Sequence, residues 1–198
     1  MEDFIPFFQF INKFLTISPE EFEIFILPYL ELRRFDAKEV VSAMGAVENY
    51  FNFLLVGLAR TYYNKEGQEV VIQIATQGHI IHAQESFHSR QPSGYCVETI
   101  EPTTFASITY EKLETIYASS AKMQHLGRLV ITYTMLLKEK MQLQALICSP
   151  RERFLHFMEK HPTLLQRVPQ KQVASYLNMQ PETFSRFKHL LREKKNDA

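Results

Sequence analysis

The chain lacks tryptophan and is poor in cysteine and in long apolar runs. Its two cysteines, Cys96 and Cys148, are far apart and form no CxxC motif. Neither a zinc knuckle nor a disulfide scaffold is therefore predicted. No uninterrupted apolar run reaches the roughly 18 residues of a membrane-spanning helix, and the N-terminal MEDFIPFF is acidic where a secretory signal is basic. We expect a cytoplasmic protein with no membrane partner.

The chain has no net charge overall, but its two parts carry opposite net charges. Residues 1–150 carry 12 Lys and Arg against 17 Asp and Glu, a net charge of −5. Residues 151–198 carry 10 against 5, a net charge of +5. Locally clustered positive charge is what the binding of nucleic-acid phosphates needs. The distribution predicts a nucleic-acid partner for the C-terminal part.

Between about Leu32 and Ile108 the pattern indicates short β-strands. The predicted strands are Val40–Val41, Tyr50–Leu55, Leu58–Tyr63, Val70–Ile74, Tyr95–Ile100 and Thr104–Ile108. Residues 64–67, Asn-Lys-Glu-Gly, are typical of a hairpin turn between two of them. Several strands at this spacing predict a small antiparallel sandwich or barrel.

Helices are predicted on both sides of the strands. Residues 4–15 are amphipathic, and Ser18-Pro19-Glu20-Glu21 is typical of a helix start. Residues 121–147 predict one long helix, with apolar residues near heptad positions a and d. This helix either packs on the sheet as a core element or also pairs with a second copy. Its length exceeds what a small sheet can cover, which favours a homodimer.

The C-terminal stretch, residues 168–195, predicts two short helices joined by a tight turn. Val173, Ala174 and Leu177 form the apolar stripe of the first helix, and Asn178 tolerates the left-handed turn that follows. Pro181 suits a first helical position. This is the pattern of a helix-turn-helix, whose second helix enters the major groove of double-stranded DNA. The candidate DNA-binding residues are Gln180, Glu182, Thr183, Ser185, Arg186, Lys188 and His189.

The order of these elements resembles the Crp/Fnr family of bacterial transcription regulators. FNFLLVGLARTYYNKEGQEVVIQIATQGHII, at 51–81, resembles the family's β-roll, and QPETFSRFKHLL, at 180–191, is similar to its recognition helix. The resemblance implies an α+β fold with an antiparallel, cyclic-nucleotide-binding-like β-roll (a double-stranded β-helix), a long dimerisation helix and a three-helix DNA-binding domain. It implies boundaries at 1–118, 119–148 and 149–198. Glu182, Thr183 and Arg186 stand at positions where family members contact the bases and backbone of DNA. The resemblance also implies DNA half-sites about 34 Å apart.

The sequence departs from this family where cyclic nucleotides bind. Relatives carry a Gly-Glu pair, whose Glu holds a ribose hydroxyl, and an Arg-Ser pair, whose Arg holds the cyclic phosphate. Here those positions are His82-Ala83 and Ser93-Gly94. A hydrogen bond to an ion is worth on the order of 1.5–3 kcal/mol, so we expect weak or absent binding of cyclic AMP and cyclic GMP. Arg90 is a candidate substitute for the missing arginine.

Few residues of the sequence support an iron–sulfur, haem or zinc sensor. Iron–sulfur relatives use an N-terminal cysteine cluster, and no cysteine precedes Cys96. His79, His82 and His88 could serve haem or zinc, but no acidic or thiolate partner completes a set. Glu85-Ser86 near these histidines has no GxSxG context and predicts no hydrolase. We therefore predict no metal, no cofactor and no enzyme activity, and an effector, if one exists, of unknown class.

A second functional hypothesis is a small-molecule-binding module that acts through protein partners without specific DNA binding. The neutral overall charge favours it, as does Gln180, a weaker helix cap than Ser or Thr. Selection of bound sequences from random duplex DNA discriminates between the two hypotheses.

Overall fold

Two antiparallel β-sheets form the body of the protein. The computed structural model describes residues 1–187. The strands are β1 (Glu31–Phe35), β2 (Val40–Ser42), β3 (Tyr50–Val56), β4 (Leu58–Lys65), β5 (Gln68–Thr76), β6 (Cys96–Thr99) and β7 (Thr103–Thr109). The first sheet has the strand order β1-β7-β3 and the second the order β2-β6-β4-β5.

Buried side chains between the sheets, Leu54, Ala59, Val97 and Phe105 among them, form the interior of the roll. The predicted turn joins β4 to β5, where the amide of Gly67 donates to Asn64 Oδ1 at 3.0 Å. Gly57, between β3 and β4, has φ +103°, and a Cβ there would lie 2.5 Å from the carbonyl oxygen of Pro102. Only glycine allows this close approach.

Short helices cover the outer face of the first sheet. They are α1 (Ile5–Ile11), α2 (Pro19–Phe25) and α4 (Tyr110–Ser119). The Ser18 side chain accepts from the amide of Glu21 while the Glu21 carboxylate accepts from the amide of Ser18, so the predicted capping box is present. Phenylalanines of α1 pack on β3, with the rings of Phe10 and Phe53 5.0 Å apart. A further short helix, α3 (Gln84–Ser89), lies between β5 and β6.

The long helix α5 runs from Ala121 to Ile147 and matches the predicted range. Only its first part is covered, because its buried residues are Met123, Leu126, Gly127 and Val130. Beyond these the helix exposes apolar side chains, including Leu136, 54 % exposed, and Leu146, 78 % exposed. Within residues 1–187, no helix combines the length and apolarity required to cross a lipid bilayer.

The C-terminal part is helical. It contains α6 (Pro150–Lys160), α7 (Leu164–Arg167), α8 (Gln170–Tyr176) and a helix that covers residues 181–187. A second capping box, between Ser149 and Glu152, begins α6. The one-turn helix α7 adds to the three helices that the sequence predicts. The predicted α+β class, the antiparallel β-roll and the long helix are confirmed.

The C-terminal helices pack on the second sheet. Leu58 of β4 is fully buried among the apolar residues of α6, α7 and α8. Ser175 Oγ accepts from the amide of Val71 at 2.9 Å and donates to the carbonyl of Glu69. Arg167 forms an ion pair with Glu101 and donates to the carbonyl of Gly57. The roll and the C-terminal helices therefore share one apolar interface.

Candidate functional site

The turn before the 181–187 helix has the geometry that the sequence predicts. Asn178 adopts φ +50°, in the left-handed region. The amide of Met179 donates to the carbonyl of Ala174 at 3.0 Å, which closes the end of α8. Pro181 is the first helical residue after the turn. The helix pair is therefore held by local backbone bonds.

Apolar side chains fix the 181–187 helix on its scaffold. Phe184 is 1 % exposed, and its ring lies 5.3 Å from that of Phe154 in an edge-to-face arrangement. The Phe187 ring lies 5.6 Å from the same Phe154 ring. The predicted stripe of α8 is buried as well, since Val173 and Ala174 have no exposed surface. Buried aromatic pairs of this kind favour a single orientation of the helix.

Arg153 of α6 braces the turn, and sequence reasoning missed it. Its guanidinium donates to the carbonyls of Leu177 at 2.8 Å and Asn178 at 3.0 Å. It also donates to the carbonyl of Cys148, just beyond α5, at 2.6 Å. One side chain thereby satisfies carbonyls at the ends of two helices. In the sequence it is only an arginine one turn after the Ser149 cap. An arginine at that position is equally common on a solvent-exposed helix face.

The candidate DNA-binding residues up to Arg186 lie on the side of the helix away from the buried Phe184. Gln180, Glu182, Ser185 and Arg186 are exposed, and Thr183 is half-buried. Arg186 Nη2 lies 3.4 Å from Thr183 Oγ1, a weak hydrogen bond that leaves most donors of the guanidinium free for other partners. The remaining two candidates, Lys188 and His189, lie outside the described residues. We call the exposed set at 182, 185 and 186 the reading face.

The predicted effector cassette, residues 82–94, folds around α3. Ala83 is fully buried, Ser93 is 4 % exposed and Gly94 is exposed. Arg90, which ends α3 with φ +60°, donates to the carbonyls of Glu48 at 2.7 Å and Phe87 at 3.1 Å. Its guanidinium also stacks over the Tyr110 ring at 4.2 Å. Arg90 is therefore engaged by the protein itself.

His82 is the most perturbed titratable residue of this segment. It is 8 % exposed, and its ring packs 5.3 Å from that of Phe51 and 5.1 Å from that of Phe87. Neither ring nitrogen has a hydrogen-bond partner among the described residues. Burial lowers the pKa of His82 to about 3, with smaller contributions from the charges of His88 and Lys138. The imidazole is neutral at physiological pH.

The three histidines do not converge on one point. The rings of His82 and His88 lie 6.3 Å apart, whereas His79 Nδ1 lies 3.1 Å from both oxygens of Thr76. In the part of the chain that the structure describes, no three His, Cys, Asp or Glu side chains are grouped to hold a metal. Ser86 is 2 % exposed, and its hydroxyl donates to the carbonyl of Gln91. That hydroxyl already has protein partners on both sides.

One family model matches part of the chain. Residues 32–120 match the family model of the cyclic nucleotide-binding domain. No curated protein matches the chain in sequence.

Solved structures match over most of the length. FixK2 from Bradyrhizobium japonicum has a TM-score of 0.71 at 16 % identity, covering 84 % of this chain and 86 % of that one. The c-di-GMP responsive global regulator CLP of Xanthomonas campestris has a TM-score of 0.63 at 17 % identity, covering 85 % and 89 %. The catabolite activator protein of Thermus thermophilus has a TM-score of 0.53 at 17 % identity, covering 92 % and 87 %. Residues 32–120 thus match the model of the cyclic nucleotide-binding domain, and the chain has the overall fold of the Crp/Fnr regulators.

Proposed function

We propose that the protein is a homodimeric DNA-binding transcription regulator. In this proposal residues 1–118 form the sensor domain, 119–148 the dimerisation helix and 149–198 the DNA-binding domain. The reading face, together with Gln180, Thr183, Lys188 and His189, contacts a major groove. The fold of relatives such as FixK2 and the catabolite activator protein supports this reading, since both share more than four fifths of the chain.

The observation that carries the proposal is the reading face itself. Glu182, Ser185 and Arg186 are exposed on a helix whose other side is anchored by buried Phe184. A helix presented in this way can enter a major groove without first unpacking. An arginine there can make a bidentate contact to guanine, the commonest specific base contact.

Dimerisation through α5 is supported by the apolar side chains that this helix leaves uncovered. Leu136 and Leu143 are each 54 % exposed, and Leu146 and Ile147 are 78 % and 69 % exposed. A run of exposed apolar residues along one helix marks an interaction surface more often than an ordinary surface. Pairing with a second copy would cover this face and set two reading faces about one helical turn of DNA, roughly 34 Å, apart.

The cassette supports a regulator that does not respond to cyclic AMP or cyclic GMP. Ala83 and Ser93 offer neither the carboxylate nor the guanidinium of the family pattern, and Arg90 is bonded to the protein. CLP, which shares the fold, responds to c-di-GMP, so this dinucleotide belongs among the ligands to be tested. The effector of this protein therefore belongs to another class, or DNA binding needs none.

The decisive experiment selects bound sequences from random duplex DNA with the purified full-length protein. We expect a palindromic sequence with half-sites one helical turn apart, and an affinity that declines steeply with salt. Retention of no sequence would overturn the proposal and favour a ligand-binding module that acts through protein partners. The same protein would then be tested for retention of protein partners.

Arg186→Ala tests the reading face on the selected sequence. We expect a loss of about 1–3 kcal/mol in binding free energy, with relaxed preference at one base position, if Arg186 contacts a base. Arg34→Ala is the matched control, because Arg34 is also exposed but lies on β1 of the roll. Equal affinities of the two variants would remove Arg186 from the reading face.

A further inference from the structure

A buried carboxylate lies beside the cassette. Glu48, between β2 and β3, is 3 % exposed. Its Oε1 accepts from the amide of Tyr50 at 3.0 Å, and its Oε2 accepts from the amide of Ala83 at 3.1 Å. Among the described residues no lysine or arginine nitrogen lies within 4.0 Å of this carboxylate. Backbone donors alone therefore compensate for the loss of its hydration.

The cassette also forms hydrogen bonds with the main chain of Glu48. Ser86 Oγ, on α3, accepts from the amide of Glu48 at 2.9 Å. Arg90 Nη1 donates to the carbonyl of Glu48 at 2.7 Å, and its Nη2 donates to Asn49 Oδ1 at 3.1 Å. Ser86 within α3 and Arg90 at its C-terminal end consequently tie this helix to the segment that leads into β3.

We propose that the Glu48 side chain takes the place of a bound anionic ligand in the cassette. Its carboxylate orders residues 83–90. In relatives the cassette holds a cyclic phosphate, which is an anion brought from outside. Here a carboxylate of the chain itself accepts from a cassette amide. The sensor is thereby ordered without a nucleotide. This inference deepens the proposed function and rests on it only for the effect on DNA binding.

The test measures amide hydrogen exchange in the full-length protein without DNA. Glu48→Gly removes the carboxylate, and we expect the amides of Tyr50 and Ala83 to exchange about 10- to 100-fold faster, the range for a lost hydrogen bond to a charged group. Sodium formate, a small carboxylate that fits the vacated space, should restore part of the protection. Glu48→Gln should give a smaller increase, because its amide group retains one neutral acceptor.

Glu39→Gln is the matched control. Its Oε2 also accepts from a backbone amide, that of Asp36 at 2.7 Å, but Glu39 is exposed and its main chain bonds to Thr99 of β6. This variant should leave exchange at residues 83–90 unchanged. If Glu48→Gly does not fold, Glu48→Gln carries the comparison alone, since it preserves the size of the side chain.

Two results would overturn the inference. One is unchanged protection of residues 83–90 in Glu48→Gln and Glu48→Gly. The other is micromolar binding of cyclic AMP by the wild-type protein, because the cassette would then be open to an external anion. Neither result depends on DNA. Failure of the wild-type protein to select any DNA would contradict the proposed function while leaving the role of Glu48 intact.

Discussion

Acidification should destabilise the fold around His82. The folded state holds this imidazole between Phe51 and Phe87 with no hydrogen-bond partner for either nitrogen, and burial lowers its pKa from 6.5 to about 3. In the unfolded chain the ring is hydrated and titrates near its ordinary value. The unfolded state therefore binds the proton more readily than the folded state.

The direction and size of the effect follow from this difference. The pKa of His82 is lower in the folded state than in the unfolded state. The folded protein therefore has its full stability above the unfolded pKa of 6.5, and the free energy of unfolding falls as the pH drops from there toward 3. Linkage between these two values predicts a loss of about 2 kcal/mol between pH 8 and pH 5. The charges of His88 and Lys138 act in the same direction, since both disfavour a second cation.

The assay is urea denaturation at pH 8, 6.5 and 5. The chain has no tryptophan, so far-ultraviolet circular dichroism or tyrosine fluorescence reports unfolding. His82→Phe preserves an aromatic ring among aromatic neighbours and removes the titration. The free energy of unfolding of this variant should depend less on pH, by about 2 kcal/mol over the interval.

His156→Phe is the control, because His156 is exposed on α6. It should retain the pH dependence of the wild-type protein. If His82→Phe and the wild-type protein lose equal stability between pH 8 and pH 5, a buried neutral His82 is not the cause.

Three further predictions concern packing and assembly. Arg153→Ala should cost about 2–3 kcal/mol in unfolding free energy, measured by urea denaturation, because the carbonyls at the ends of two helices lose a charged donor. Gly127→Ala should cost about 1–3 kcal/mol in the same assay, since the new Cβ would lie 2.3 Å from Tyr117 Cε1; Gly127→Ala combined with Tyr117→Ala should recover part of this loss. Leu136→Glu should convert a dimer to a monomer in analytical ultracentrifugation, whereas Ile24→Glu, at a similarly exposed position on α2, should not.

Features that depend on near neighbours in sequence were predictable. The two capping boxes, at Ser18 and Ser149, need partners only three residues away. The left-handed Asn178 and the apolar stripe of α8 follow from residue type and helical spacing, and both are present. Five of the six predicted strand runs fall within strands of the structure, and the sixth, Tyr95–Ile100, extends one residue beyond each end of β6, since alternation is a local pattern.

Strand β1 and the short helices α3 and α7 escaped prediction because charge or shortness hides their pattern. Strand β1 contains Glu31, Arg33 and Arg34, so its alternation is broken, and pairing with β7 makes it a strand. Helix α3 has only six residues, too few for a helical period to appear. The predicted DNA-binding role of the reading face and the boundaries of the proposed domains stay predictions.

The sequence by itself determined the class of fold, the long helix and the turn at Asn178. Only the tertiary structure decided which amides bond to the Glu48 carboxylate and which side chain braces the turn. Glu48 and Ala83 are 35 residues apart in the chain, and Arg153 and Leu177 are 24 apart. A hydrogen bond over such a separation depends on how sheets and helices are placed in space. Propensity and periodicity act over a few residues and carry no information about that placement.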